Sequence, residues 1–249
     1  MLFFTNRMKG VILAGGLGTR LYPLTKVTNK HLLPIYNRPM ILYPLETLKQ
    51  SGVREIMIVC GKQHAGHFMN LLGSGKEYGV KLSYALQDTD NGGIADALSY
   101  SEDFSDNESV AVILGDNIFT ETFEKAIRTF DGGGMVFLKE VKDPERYGVV
   151  VLNKTKTEII TIEEKPKKPK SNYIQTGLYL FDSSVYSIVR KLKPSKRGEL
   201  EIADVTGAYL KQNRLGFSFV RNGWYDAGTI DSLLGAGNEI ARKERGKKD

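Results

Sequence analysis

Several residues in this chain have types and spacings that could do phosphate chemistry. The first group is Gly15-Gly-Leu-Gly-Thr-Arg20, directly after the apolar run Val11-Ile-Leu-Ala14. Glycines without a Cβ let backbone approach a ligand closely. A glycine-rich turn after a parallel strand offers backbone N–H groups to phosphate oxygens, so Gly15, Gly16, Gly18 and Thr19 are candidate phosphate contacts. Arg20 adds a planar cation suited to phosphate. The spacing excludes two common nucleotide loops. Leu21 stands where the third glycine of Gly-x-Gly-x-x-Gly would fall, and no Lys-Ser/Thr pair follows Gly18. A second candidate is Asp116, one glycine beyond an apolar run at 110–114. A carboxylate there suits Mg²⁺, which takes one or two protein carboxylates and completes its shell with phosphate oxygens and water. A cap on a following helix fits the same residue. Asp226 has the same two readings, as metal ligand or as cap for a helix starting near Thr229. Gln87 closes another apolar run, and its side-chain amide could satisfy both a carbonyl and an N–H of a pyrimidine edge.

These residues need elements to hold them. The periodicity predicts strands at 10–14, 55–61, 81–87 and 110–114, with helices at 40–51, 65–72 and 94–104 between them. Such alternation argues for a parallel sheet covered on both faces, with right-handed crossovers. After Gly132-Gly-Gly134 the pattern changes to strands at 135–141, 148–152, 158–163 and 173–181 with short connections, which predicts antiparallel additions and a mixed sheet. Helices are expected at 184–192 and 201–213, then a strand at 216–221 and a helix from 229 onward. No long Pro/Gly/Ser linker divides the chain, so one α/β domain over 1–249 is expected. Ligands in open α/β sheets bind beyond the carboxyl ends of the strands. The glycine loop, Gln87 and Asp116 all fall on that one edge.

Composition narrows the function classes. The net charge is +6, but the segment 242–249 holds five cations against two acids, which reads as a frayed, solvated helix end. No helix-turn-helix, zinc-finger or RNA-binding signature accompanies the charge, so no nucleic-acid partner is expected. No run of 18 apolar residues occurs, so no membrane span is expected. The lone Cys60 cannot form an internal disulfide, and a cytoplasmic location is expected. His64 and His67 have a spacing that could pair on a metal, but two ligands make a poor zinc site and a structural role is expected. No Gly-x-Ser-x-Gly elbow supports Ser-His-Asp hydrolysis.

The chain resembles the sugar-phosphate nucleotidyltransferases. The resemblance is carried by Leu13-Ala-Gly-Gly-Leu-Gly-Thr-Arg-Leu-Tyr-Pro-Leu-Thr25, Lys30-His-Leu-Leu-Pro34 and Gly92-Gly-Ile-Ala-Asp-Ala-Leu98. It continues through Ile113-Leu-Gly-Asp-Asn117, Asp143-Pro-Glu-Arg-Tyr-Gly148, Glu163-Glu-Lys-Pro166, Thr176-Gly-Leu-Tyr179, Arg197-Gly-Glu-Leu-Glu-Ile202 and Trp224-Tyr-Asp-Ala-Gly-Thr229. It spans residues 8–240, so 1–7 are expected to be an extension. It implies a Rossmann-like three-layer sandwich and a Mg²⁺-dependent transfer from dTTP to glucose 1-phosphate, giving dTDP-glucose and pyrophosphate. By the same resemblance Asp116 and Asp226 hold the metal, and Arg20 and Lys30 neutralise the departing phosphates. Gln87 and Gly93 contact the base. Asn117, Gly148, Glu164, Lys165, Gln175, Thr176 and Trp224 surround the sugar phosphate. A homo-oligomer fits the family.

Some alternatives stay open. Lys30 also fits an ordinary surface lysine, but its place just before the apolar Leu32-Leu33-Pro34 favours a defined position. Lys165 opens the run Lys165-Pro-Lys-Lys-Pro-Lys170, which as a charge run is a solvated loop, and that reading is kept for Lys167, Lys168 and Lys170. The loop 88–92 is one residue longer than in longer family members, and Asp96 stands where they carry glutamine, which implies relaxed choice between thymine and uracil. UTP, another sugar 1-phosphate, or a non-catalytic nucleotide-sugar sensor on the same fold are the rival readings. Longer members also continue into elements linked to a regulatory site, so that pocket is expected to be incomplete here.

Overall fold

The computed structural model of the chain describes residues 8–89 and 92–246. In chain order the elements are β1 (Lys9–Ala14), the short hairpin β2 (Pro34–Ile35) and β3 (Arg38–Pro39), α1 (Leu42–Gln50), β4 (Glu55–Gly61), α2 (Ala65–Leu72), β5 (Lys81–Gln87), α3 (Ile94–Ser99), α4 (Glu102–Ser105), β6 (Val110–Leu114) and β7 (Asn117–Phe119). There follow α5 (Glu124–Arg128), β8 (Gly134–Glu140), β9 (Gly148–Leu152), β10 (Ile159–Glu164), β11 (Tyr173–Phe181), α6 (Ser184–Val189), α7 (Ile202–Lys211), β12 (Leu215–Phe219), β13 (Trp224–Asp226) and α8 (Ile230–Arg245).

One large mixed sheet runs β10-β9-β11-β6-β1-β4-β5, with β8 paired to β11 and β12 to β8. The β6-β1-β4-β5 side is parallel, as the strand–helix alternation requires. The other side is built from antiparallel pairs of β11 with β6, β8 and β9, and of β9 with β10; β12 joins β8 in parallel. β1 shows why the sheet needs two helical layers. Its side chains alternate faces: Ile12 packs with Ile56 and Phe68, while Val11 packs with Val59, Leu98 and Val205. Full burial of each such side chain contributes about 1.5–3 kcal/mol.

The expected helix 94–104 is two helices. Ser101 interrupts it: the side chain is buried, its Oγ donates to the Leu98 carbonyl, and it meets the Tyr186 hydroxyl at 3.0 Å. A hydroxyl that bonds its own backbone competes with the helix ladder. A strand, not a helix, follows Asp116, which removes the capping reading of that residue. The ribbon β7–β13 places Asp226 opposite Asn117. Beneath it lies a separate apolar cluster of Ile35, Met40, Tyr43, Ile118, Ala227, Ala236 and Ile240, which clamps the ribbon between the hairpin and α8. α8 is capped by Thr229 and Ser232, whose side chains and backbones bond reciprocally, so Asp226 is not its cap. α8 stays helical to Arg245, further into the basic segment than a frayed end implies. The expected extension at 1–7 and the end of the basic tail at 247–249 lie outside the described residues. Among the described residues no helix is long and apolar enough to cross a membrane.

Candidate active site

A cavity of about 520 Å³ opens at the carboxyl ends of β1, β5 and β6. It brings together every expected site residue except Gly18. Gly16 and Gly18 have φ of 86° and 63°, conformations that L side chains rarely adopt. Gly18 lies behind the cavity wall, where its carbonyl accepts from Thr25 Oγ1 at 2.8 Å. Leu21 is wholly buried, which anchors the loop and leaves Thr19 and Arg20 facing the cavity.

The two aspartates meet here although they are far apart in sequence. The β7–β13 register and a hydrogen bond from the Ala227 N–H to the Asp116 carbonyl, 3.0 Å, hold their backbones side by side. Gly228 leaves a gap between them. A Cβ on it would stand 2.9 Å from Asp226 Oδ1, 3.5 Å from Asp116 Oδ2 and 3.2 Å from Arg20 Nη2. Asp226 Oδ1 accepts from the Gly228 N–H at 3.0 Å, and two hard carboxylates brought this close are the donors that Mg²⁺ takes alongside water and phosphate oxygens. Asp116 Oδ2 accepts from Lys30 Nζ at 2.6 Å, and Oδ1 accepts from Asn117 Nδ2 at 3.1 Å. Burial alone would raise the Asp116 pKa, but the Lys30 ammonium and His31 hold it well below the usual carboxylate range. Asp226 shifts the other way: burial raises it first, and the Asp116 charge raises it further. The Lys30 ammonium, expected on the departing phosphates, is paired with Asp116 at 2.6 Å.

His31 stands behind Asp116, its ring so close to Gly115 that a Cβ there would lie 2.6 Å from Cδ2. Its Nδ1 meets Asn29 Oδ1 at 2.8 Å. Burial first, and Lys30 second, push its pKa down to about 3, so it is neutral in the working range. The unfolded chain binds a proton near pH 6.5 that the folded chain refuses. This stabilisation is complete above that pH and is lost as pH falls toward 3, by up to about 1.4 kcal/mol per pH unit. Denaturant titrations of wild type and His31→Gln between pH 7 and pH 4 test this. A shallower loss in the variant is expected; an unchanged slope places the acid sensitivity elsewhere.

The other end of the cavity is built by β9, β10 and β11. A register shift in β11 between Gln175 and Tyr179 lets Gln175, Thr176 and Gly177 face the site. The Gln175 side chain is buried, and both its Nε2 and Oε1 lack hydrogen-bond partners among the described residues. A Cβ on Gly148 would lie 3.0 Å from that Nε2 and 3.3 Å from Glu164 Oε2. Lys165 has φ 43°, a strained left-handed conformation for a non-glycine residue, with its N–H donating to the Tyr147 carbonyl at 3.0 Å. Lys165 Nζ is 3.1 Å from Glu164 Oε1, and Arg197 Nη2 is 3.8 Å from the same oxygen. Lys167, Lys168 and Lys170 are exposed, as a solvated run requires. Three expected sugar-site residues have their polar groups engaged within the protein. Asn117 Oδ1 accepts from Gly177 N–H and Trp224 Nε1, and Thr176 Oγ1 donates to the Phe137 carbonyl. Asn117 thereby holds Asp116 and the β7–β13 ribbon in place.

At the base end, Gln87 lies over Gly15, and Gly93 is packed against the Leu200 carbonyl. Asp90 and Asn91, within the loop expected to be one residue longer, lie outside the described residues. Several cavity residues were not singled out from the sequence: His31, Arg146, Tyr147, Arg197 and Glu199. Arg146 Nη2 is 3.6 Å from Asp226 Oδ2 and is buried without a hydrogen-bond partner among the described residues. Arg146 and Arg197 both sit inside segments that carry the family resemblance, and that was the available signal.

Comparison with known proteins agrees with this geometry. A family model described as nucleotidyl transferase matches residues 9–243. The glucose-1-phosphate thymidylyltransferase of Neisseria meningitidis is 44% identical over 233 residues, covering 91% of this chain and 80% of that one. A Bacillus anthracis structure, described as a candidate glucose-1-phosphate thymidylyltransferase in complex with sucrose, is 50% identical. It covers 93% of this chain and 94% of its own, with a TM-score of 0.88. A UDP-glucose pyrophosphorylase solved with UDP-glucose superposes with a TM-score of 0.84 at 25% identity, covering 95% of this chain and 99% of its own.

Proposed function

This chain belongs to the nucleotidyl transferase family, and on that premise we propose that it transfers the thymidylyl group of dTTP to glucose 1-phosphate, giving dTDP-glucose and pyrophosphate. The observation that carries the reading is the convergence of Asp116, Asp226 and Arg20 about the gap at Gly228, beside the glycine loop.

A phosphate oxygen of the sugar 1-phosphate attacks the α-phosphorus. The bond from that phosphorus to the bridging oxygen of the β-phosphate breaks, and pyrophosphate leaves in line. The attacking oxygen is already anionic at neutral pH, so no general base is needed. Catalysis is then positioning and charge neutralisation. The backbone of residues 15–19 and the Arg20 guanidinium receive the triphosphate. Lys165 and Arg197 hold the sugar phosphate, so that two substrates of like charge can approach. Gln175 and Glu164 offer donors and acceptors to sugar hydroxyls, and a buried amide with both ends unpartnered costs about 1–3 kcal/mol per group until a ligand satisfies it. Gln87 and Gly93 contact the base. Asp116 and Asp226 would hold Mg²⁺, which neutralises charge on the α-phosphate when bound. Lys30 and Asn117 fix Asp116 for that task. Both substrates are cytoplasmic metabolites, which is where this reading sets the reaction.

Base choice tests the assignment. Thymine differs from uracil by one methyl group, worth only about 10- to 200-fold in discrimination. The longer loop beside the base favours the low end of that range. The expected order in kcat/KM with glucose 1-phosphate is dTTP, then UTP, with ATP and GTP failing. A dTTP/UTP ratio well above a thousand shows a tight methyl pocket and removes the relaxed-choice reading. GTP as the best substrate overturns the pyrimidine assignment.

A further inference from the structure

We propose that Asp96 is a positioning residue for base specificity. It fixes the Gln87 amide so that an acceptor faces the base site, selecting a base whose ring nitrogen carries a hydrogen over one whose ring nitrogen offers a lone pair. The inference rests on the nucleotidyl-transfer reading above.

An amide side chain has two nearly isosteric orientations about its last torsion, so a neighbour must choose between them. Here the neighbour is Asp96, in the first turn of α3. Its Oδ2 accepts from Gln87 Nε2 at 2.8 Å and from Thr89 Oγ1 at 2.5 Å. A carboxylate offers only acceptors, so it must face Nε2. Oε1 then falls on the opposite side, against Gly15, where any Cβ would collide with it. Asp96 is itself held. The backbone of Gly92 closes on Oδ2 so tightly that a Cβ has no room. The loop and the start of α3 are tied to the next layer by Leu200 N–H to the Gly92 carbonyl, 2.8 Å, and Ala95 N–H to the Leu200 carbonyl, 3.1 Å.

The chemistry follows from the edges of the bases. Thymine and uracil present an imide N3–H between two carbonyls. Cytosine presents a ring-nitrogen lone pair at the same place. A fixed Oε1 accepts from the imide and repels the lone pair, and the second Gln87 amide hydrogen stays available for a carbonyl. With Asp96 removed, the amide turns over and serves either base. An acid near a helix start also has an ordinary role, favouring the helix dipole. That role would affect all substrates alike.

The test is kcat/KM for dTTP and dCTP, by pyrophosphate release with saturating glucose 1-phosphate and Mg²⁺, in wild type, Asp96→Asn and Asp96→Ala. Asparagine keeps the shape and can pair with either end of the Gln87 amide. The dTTP/dCTP ratio is expected to fall at least about 10-fold in both variants, the scale of one mismatched buried hydrogen bond, while KM for glucose 1-phosphate stays within about 3-fold. A ratio within about 2-fold of wild type in both variants, or an equal loss on dTTP, dCTP and glucose 1-phosphate, overturns the role of Asp96. If the wild type turns over neither pyrimidine triphosphate, the nucleotidyl-transfer reading itself fails, and this inference with it.

Discussion

Asp116→Asn and Asp226→Asn each lower kcat by about two orders of magnitude or more, the loss expected when one preorganised charge at the reacting phosphate is removed. Asparagine keeps the volume and can still receive the Ala227 backbone contact, which involves only the main chain of residue 116. What it loses is the carboxylate charge facing the gap at Gly228. The two variants differ in side effects, and that difference separates chemistry from folding. Asp116 is the counter-charge of Lys30, with both side chains largely buried. Removing one partner of such a pair destabilises by about 3–5 kcal/mol. Asp226 faces the Arg146 guanidinium at 3.6 Å and its Oδ1 accepts from the Gly228 N–H at 3.0 Å, a bond that an asparagine oxygen can keep, so its variant should stay folded to higher temperature. Loss of kcat in both, with a lowered Tm only in Asp116→Asn, is the expected pattern. Turnover that survives a chelator, or that survives in Asp226→Asn, contradicts the metal assignment.

Lys165→Ala raises KM for glucose 1-phosphate by about 10- to 100-fold, the worth of one hydrogen bond to a charged group, and leaves KM for dTTP within about 3-fold. The split matters because Lys165 belongs to a run of lysines that is otherwise solvated. Two features single it out: a left-handed backbone, φ 43°, tied to the Tyr147 carbonyl, and its ammonium against Glu164 inside the cavity. Strain of this kind costs about 1–3 kcal/mol and persists only where surroundings enforce it. Steady-state kinetics with each substrate varied in turn decides the matter. An equal change in both KM values, or none, returns Lys165 to the solvated run.

The central strands β1 and β6 of the parallel half were legible because burial on both faces leaves an uninterrupted apolar signature, as in Val11 to Ala14, whereas the half-exposed edge strand β5 was legible from its place in the strand–helix alternation. The bounds of β4, β5 and β6 match the sequence reading residue for residue. The ribbon β7–β13 was not legible. Each strand has only three residues, too few to show a period, and its position depends on Ile118 and Ala227 packing beneath α8. The site was legible where special backbone or a strand end marked it: the glycine loop, Gln87 and Asp116. It was not legible where long-range pairing decides a role. Lys30 and Asp116 are 86 residues apart, so nothing local announced that the ammonium belongs to the carboxylate. Arg146 and Arg197 are cations among 35 lysines and arginines, and only the folded cavity distinguishes them. Asp96 was visible as a departure from the family pattern, but its hold on Gln87 depends on the fold bringing the end of β5 against the first turn of α3.

The central claim is that this cavity joins a nucleoside triphosphate to a sugar 1-phosphate. The most direct test incubates the protein with Mg²⁺, dTTP and glucose 1-phosphate and follows pyrophosphate and nucleotide sugar together. The predicted result is release of one pyrophosphate for each dTDP-glucose formed, with no release when glucose 1-phosphate is omitted. Pyrophosphate released without the sugar phosphate, or tight binding of dTDP-glucose with no turnover under any pairing of triphosphate and sugar 1-phosphate, would contradict it.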